Sequence, residues 1–511
     1  MQKLTDFESG LPKSYTLAGT FWTPCGWQSG FVSVSGSQVV QFLNRQNKEV
    51  VKPIIDCSEF YIYPGFCDAH IHLRELCVRQ QITTVGKNGS LISLEQDIFE
   101  QLSHQPGKKL YIFIVHPTID LYAALSVLAK GLLSKTESPI VLLSPDGHHC
   151  LVNQTAWQKI PTDLLTDFHL GQSEQHVGSW VLVKEESVWR IQDFLFQRFG
   201  QANIEKMLRC ALIEMRKAGI TCVNAIDTSY FAQTVNKLKY RLPNMFIFWI
   251  VDVRNDRVFP TPELENIIGA KQYIDGTFYG RSADLTFECE LSQEKLTIPL
   301  SSIKQHILLC NSLAIWACFH TIGDGAVRKV LDATEELAKE LNIQPKIRVE
   351  HVQVIKEEDI SRCAQMKFVC SMQPSHLVND FELITSMLTM EAYKTAYAWN
   401  ALYKSGVDII FGSDAPFSDY SVEFGLYAAV SFRNEKNWHT HNSLDASVAI
   451  QAYTNSIWHI CGFNVSKQLG TFVPGGPAAF TLASSPIEQS IHEPKGKSVV
   501  GSIVEDELIL A

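Results

Sequence analysis

Two histidines spaced i, i+2 behind an apolar run are where chemistry enters this chain. The run Phe60 to Tyr63 leads through Pro64-Gly65-Phe66-Cys67-Asp68-Ala69 into His70-Ile71-His72-Leu73. On a strand, residues i and i+2 point to one face, so both imidazoles aim into one space, as two ligands of a single metal must. A helical pair would be spaced i, i+3 or i, i+4. With 16 histidines in 511 residues, chance supplies roughly half an H-x-H per chain, so the pair needs company to define a site.

Company comes from the elements that follow. Buried-type strands alternate with amphipathic helices, the pattern of a parallel β/α domain. Candidate strands are 66–72, 111–115, 140–144, 220–225, 245–251, 267–274, 314–320, 347–351, 368–373 and 408–412, with helices over 205–218, 326–341 and 396–405. That is ten strands where a (β/α)8 barrel needs eight. Two of the ten fall in the polar stretch between Arg74 and Ile204, which is expected to be an insertion after the first barrel strand. The remaining eight then fit. Short strand-like runs at both ends (15–20, 30–35, 38–42, 53–56, and 470–473, 478–482, 497–504, 507–510) suggest a small β-sandwich built from both termini. The expected architecture is α/β: a TIM-like barrel over 61–464 with an insertion at 76–204, and a sandwich from 1–60 and 465–511.

Polar residues cluster at the C-terminal ends of these strands. The first ends in His70 and His72, and the fourth carries Lys271 in Gly269-Ala270-Lys271-Gln272-Tyr273-Ile274-Asp275-Gly276. The fifth ends in His320, the sixth in Arg348-Val349-Glu350-His351, and the eighth in Gly412-Ser413-Asp414. Each has an ordinary structural alternative. Lys271 reads alone as a snorkelling lysine, His320 as a satisfied core histidine, His351 beside Glu350 as half of a surface pair, and Asp414 as a turn or N-cap. Barrel strand ends converge on one mouth, however, and six such residues in one order point to a shared site there.

Composition limits the partners. Lys plus Arg is 44 against Asp plus Glu 54, a net charge of −10, which argues against nucleic acid or an anionic membrane. Met1 to Gly19 lacks a basic region followed by an apolar core, so no signal peptide is expected, and no apolar run is long enough to span a bilayer. The 13 cysteines are scattered without a C-x-x-C, which suggests reduced thiols of a cytoplasmic protein. A small-molecule substrate is the expected partner, and a homodimer is left open.

The set of motifs resembles the amidohydrolase superfamily of metal-dependent hydrolases, in its amidohydrolase-3 branch, the YtcJ-like proteins that include N-substituted formamide deformylase. The resemblance is carried by Pro64-Gly65-Phe66-Cys67-Asp68-Ala69-His70-Ile71-His72, by Ser144-Pro145-Asp146-Gly147-His148 with Asn153, and by Asp275-Gly276-Thr277 with Arg281-Ser282-Ala283. His320-Thr321-Ile322-Gly323-Asp324, Arg348-Val349-Glu350-His351, Ser371-Met372-Gln373-Pro374-Ser375-His376 and Gly412-Ser413-Asp414-Ala415-Pro416 complete it. It departs at Pro474-Gly475-Gly476-Pro477-Ala478-Ala479-Phe480, where the family reads close to P-G-K-x-A-D-L. Lys184-Glu185-Glu186 matches the family's glutamate-bearing loop only loosely, and a solvated acidic run is the simpler account of Glu185.

The resemblance implies that His70, His72 and Asp414 hold one divalent metal, that His320 and His351 hold a second, and that Lys271, carboxylated on its amine, bridges them. Two zinc ions are expected, with manganese or iron as substitutes. A metal-activated hydroxide would attack an N-formyl or N-acyl amide, with Asp414 carrying the proton to the leaving nitrogen. His148, Arg281 and His376 are the candidate substrate contacts, against the alternative of structural hydrogen bonds. A deaminase of a nitrogen heterocycle would use the same site. A catalytically dead scaffold is the remaining alternative, although all six ligand positions are filled.

Overall fold

The computed structural model describes the chain except residues 8–9, 45–49, 80–81, 105–109, 117, 145–146, 148, 162–173, 185, 197–200, 254–263, 279, 288–297, 390–393 and 494–496, and except the side chains of 174, 184, 186, 189, 193 and 195. Two compact units are present, Met1–Leu73 with Leu208–Ala511, and Arg74–Met207.

Eight parallel strands organise the first unit: Phe66–Ile71, Ile220–Asp227, Phe246–Asp252, Ile267–Tyr273, Trp316–Thr321, Ile347–His351, Val369–Met372 and Asp408–Phe411. They are called barrel strands 1 to 8 below, and each pairs with its neighbour in chain order. Strands 1 and 2 are buried at every position, because a parallel sheet with a filled interior and helices outside leaves no solvent face. The helices carry the matching stripe. Between strands 5 and 6, Asp324–Leu341 buries Val327, Val330, Leu331, Thr334 and Leu337, at the spacing that keeps one face inward. Strands 8 and 1 nearly close the ring. Ile71 bridges Ala415, the Asp414 amide donates to the His70 carbonyl at 2.7 Å, and the His72 amide donates to the Ala415 carbonyl at 2.9 Å. That seam stitches the H-x-H pair to Asp414.

Strands from both ends of the chain share one further sheet. Ile54–Pro64 is its centre, flanked by Ser14–Thr23 on one side and Ala479–Ala483 on the other, with Gly26–Ser35, Gln38–Leu43, Val499–Val504 and Glu507–Leu510 outside them. Tyr15, Leu17, Phe21, Val32, Phe472, Phe480 and Ile503 form its buried apolar cluster. Gly65 is where the chain leaves this sheet for barrel strand 1. A β-carbon there would lie 2.1 Å from Thr221 Oγ1 and 2.9 Å from Ala479 Cβ, so only glycine fits. The run 470–473 forms no strand: Val473 starts a turn closed by the Gly476 amide, with Gly475 at φ +82°. Pro474-Gly475-Gly476 imposes that turn.

The unit Arg74–Met207 holds a six-stranded sheet, in the order Glu174–Val177, Trp180–Lys184, His149–Asn153, Ile140–Leu143, Tyr111–Val115, Thr83–Val85. Alternate side chains enter two apolar clusters: Phe113, Leu142, Leu151 and Leu182 one, Ile114, Val141, Val152 and Val183 the other. The candidate strands 111–115 and 140–144 therefore pair here and not in the barrel. Among the described residues, no helix is long and apolar enough to cross a membrane.

Candidate metal centre

Each candidate histidine ligand is delivered at the C-terminal end of a barrel strand and oriented by a partner on one ring nitrogen. His70 Nδ1 lies 2.7 Å from Glu350 Oε2, both fully buried. A carboxylate only accepts, so Nδ1 carries the proton and Nε2 presents a lone pair. His72 Nδ1 lies 3.0 Å from the Ile226 carbonyl, and the same reasoning leaves a lone pair on its Nε2. His351 Nδ1 lies 2.8 Å from Gln373 Oε1, while Gln373 Nε2 donates to the Ser371 carbonyl at 3.3 Å, which fixes the amide's orientation. His320 Nε2 faces the Gly276 carbonyl at 3.3 Å, which puts the proton there and the lone pair on Nδ1.

Two of these lone pairs, those of His72 and His70, face Asp414. Its Oδ1 lies 3.2 Å from His72 Nε2 and 3.4 Å from His70 Nε2, and it is buried without a hydrogen-bond partner among the described residues. Its Oδ2 lies 3.5 Å from His376 Nε2 and 4.0 Å from His351 Nδ1. Ligand atoms of His70, His351 and Asp414 all fall within 4.8 Å of one another. The His320 and His351 ring centres are 4.5 Å apart. Asp414 Oδ1, buried without a hydrogen-bond partner among the described residues, faces the Nε2 lone pairs of His72 and His70, an arrangement that a divalent cation would satisfy. The donor set thus fits a divalent metal. Lys271 is buried, its Nζ 3.2 Å from His70 Nε2 and 4.9 Å from the centre of the Tyr273 ring.

Electrostatics agree with a cation-binding role. Burial and the Lys271 ammonium pull the His70 imidazole down to about 4, so it is neutral near pH 7. Burial and His320 likewise depress His351. Burial works against ionisation of Asp414, but His70, His72 and His351 outweigh it and hold the carboxyl well below its ordinary range. His351 (φ +74°) and Asp414 (φ +60°) both sit in the left-handed region, uncommon for such residues and costing of order 1 kcal/mol or more each. Two strained backbones at one cluster point to a function there rather than to stability.

A supporting layer escaped the reading of the sequence. Arg348, fully buried, donates from Nε to Glu350 Oε1 at 2.6 Å and from Nη1 to Asn224 Oδ1 at 2.9 Å, and also reaches the Ala69 carbonyl. Burial opposes ionisation of Glu350, yet Arg348 and His70 hold its carboxyl below the usual range. Glu350 is therefore the acceptor behind His70, and not half of a surface pair. Asp68 accepts from the Ser413 amide at 2.9 Å and its hydroxyl at 2.5 Å, tying strand 1 to the loop bearing Asp414. Burial pushes its carboxyl up to about 6. Asp275 accepts from the amides of Ile322, Gly323 and Asp284 at 2.8–3.0 Å, and burial pushes it up to about 7. Gly412 leaves the room: a β-carbon there would meet the His70 nitrogen at 2.3 Å. Of the candidate substrate residues, His376 is in the cluster. Arg281 stands exposed on the turn after strand 4 and makes none of these contacts among the described residues. His148 and Glu185 lie outside the described residues.

A parallel β/α barrel with histidines and a carboxylate gathered at the C-terminal strand ends defines the class of metal-dependent barrel hydrolases. The chain belongs to the amidohydrolase family, whose model matches residues 201–509. A Bacillus subtilis (strain 168) protein named as an amidohydrolase, YtcJ, is 23% identical over 494 residues, covering 87% of this chain and 89% of its own. Among solved structures, an uncharacterized metal-dependent hydrolase from Pyrococcus horikoshii OT3 superposes with TM-score 0.73 at 17% identity, covering 93% of this chain and 98% of that one. An adenosine deaminase from Xanthomonas campestris with bound zinc superposes with TM-score 0.55 at 13% identity, over 98% of this chain and 94% of that one. At these identities the structures speak for the fold. Family membership implies a divalent metal, which agrees with the donor set.

Proposed function

We propose that this chain is a hydrolase of non-peptide C–N bonds, acting on an N-formyl or N-acyl amide. The observation that carries the reading is the buried Asp414 Oδ1 facing two imidazole lone pairs at 3.2 and 3.4 Å. His70, His72 and Asp414 would hold one divalent cation, zinc by the chemistry of the donors, and His320 with His351 a second. Bound there, the metal supplies Lewis acidity toward the amide carbonyl and an acidified water. Asp414 then serves as the proton carrier, taking the proton of the attacking water and passing it to the departing nitrogen. Amines leave badly without that proton, which is why a carboxylate belongs beside the attacking oxygen. His376 faces the same space and would contact the substrate; Arg281 and His148 remain candidates for the same role. The domain reading goes with the proposal: a barrel over 61–464, an insertion at 76–204, and a sandwich from 1–60 and 465–511, in a cytoplasmic enzyme.

Lys271 is proposed to carry a carbamate bridging the two metals. An ammonium beside two divalent cations is repelled by both, whereas a carbamate offers two anionic oxygens. Density beyond the amine, and loss of activity in Lys271→Ala with partial rescue by short carboxylates, is the expected result. A bare amine together with an active alanine variant would leave a one-metal site.

The functional reading is tested by assaying the purified protein against formamides, acyl amides, cyclic amides and amino-heterocycles, before and after chelation. Turnover of an amide that chelation abolishes and zinc restores is expected. Ammonia released from heterocycles alone would make the protein a deaminase, and amide turnover untouched by chelation would end the metal-dependent mechanism.

A further inference from the structure

His376 is held differently from the other imidazoles of the cluster. Among the described residues, His70, His72, His320 and His351 each set a ring nitrogen against an oxygen acceptor. His376 Nδ1 instead lies 3.1 Å from the side-chain nitrogen of Gln353. Where the ring proton sits follows from what holds Gln353. Its Nε2 also lies 3.5 Å from Asp380 Oδ2, which accepts from the Tyr397 hydroxyl at 3.2 Å. An ionised carboxylate only accepts, so the amide atom turned toward it is the nitrogen. The amide's other hydrogen is then directed at His376 Nδ1, which must present a lone pair. The ring proton is therefore on Nε2, the nitrogen 3.5 Å from Asp414 Oδ2.

The amide has little freedom to turn. Gln353 is 3% exposed, and its main-chain carbonyl accepts from the Tyr397 amide at 2.7 Å, which fixes the backbone that carries the side chain. The Tyr397 carbonyl in turn accepts from the buried Arg433 at 2.6 Å.

We propose that Gln353 is a positioning residue that fixes His376 in the Nε2–H tautomer, so that this ring meets the substrate as a hydrogen-bond donor. The inference rests on the amide-hydrolase reading for the identity of the acceptor, which is the amide oxygen that gains negative charge as the carbonyl carbon becomes tetrahedral. No proton changes hands in this contact. It also sets a preference among substrates. A group with an acceptor oxygen is satisfied at this position, whereas one that only donates, such as an exocyclic amine, leaves two donors facing each other.

The test is 15N NMR of the full-length zinc-loaded protein carrying labelled histidine, with the His376 signal assigned by its loss in His376→Asn. The wild type should show the Nε2–H pattern. At wild-type metal content, the isosteric Gln353→Glu, whose carboxylate accepts from Nδ1–H, should shift it toward Nδ1–H, and Gln353→Met, which removes the donor, should release the lock and give a mixture of tautomers. Both variants should also lower kcat by about 10-fold with a smaller change in KM. A wild-type ring protonated on Nδ1 or on both nitrogens would overturn the inference, as would an unchanged tautomer and kcat in both variants. The tautomer is read without substrate, so a protein that hydrolyses no amide fails the functional reading while this inference stands or falls on the spectra.

Discussion

Asp414→Asn is expected to lower kcat by about 10²- to 10⁴-fold on any amide the protein turns over, the range for losing a positioned proton carrier. Asparagine keeps the shape and keeps one oxygen as a ligand, but it cannot accept and return a proton. It also replaces one acceptor by a donor at the point where His70 and His72 present lone pairs, 3.4 and 3.2 Å from Asp414 Oδ1. In the metal-free protein that donor satisfies an imidazole nitrogen, so the variant should unfold no earlier than the wild type when both are stripped of metal. Its metal affinity should fall. Steady-state kinetics and denaturant curves of the apo-proteins check the two halves separately, and a near-normal kcat would remove Asp414 from proton transfer.

Arg348→Met is expected to cost about 3–5 kcal/mol of stability, the range for stranding one member of a buried ion pair. Arg348 and Glu350 are both fully buried, and Arg348 also ties together Asn224, Ala69 and Ser371 on barrel strands 2, 1 and 7. Removing the guanidinium leaves the Glu350 carboxylate with His70 as its remaining neighbour among the contacts described. Changing Glu350→Gln in the same chain removes the stranded charge, and this double variant should recover a substantial part of the loss. Equal urea midpoints for the wild type and Arg348→Met would show that the pair contributes no net stability.

The strand ends were legible in the sequence because side-chain parity on a strand is fixed and barrel strands pair in chain order. His70, His72, His320, His351 and Asp414 could be aligned on one mouth from those rules alone, and all five lie in the cluster. Partners that depend on distant chain segments were not legible. Nothing local marks Glu350 as the acceptor behind His70, which lies 280 residues away in the chain. Its spacing from Arg348, i and i+2 on one strand, was the available signal. Asp68 and Asp275 were visible only as members of motifs, since their role is to accept backbone amides brought by loops. The run 53–56 was read as a short strand, yet it opens the eleven-residue strand Ile54–Pro64, because Ser58 and Glu59 interrupt the apolar pattern at exposed positions where the sheet accepts polar side chains. Similarly, the insertion was read for two strands and holds six among the described residues; of the four others, Thr83–Val85 is too short and Glu174–Val177 too polar for periodicity to reveal.

The most direct test of the central claim is the metal content of the purified protein beside that of a variant carrying both His70→Ala and His72→Ala. One to two equivalents of a transition metal are expected in the wild type. In the variant, metal and amide turnover should be lost together while the circular dichroism spectrum is preserved, since the barrel and terminal sheet take their apolar packing from other residues. A folded variant that keeps its full complement of metal, or keeps its turnover without any, would contradict the assignment of this cluster as the metal centre.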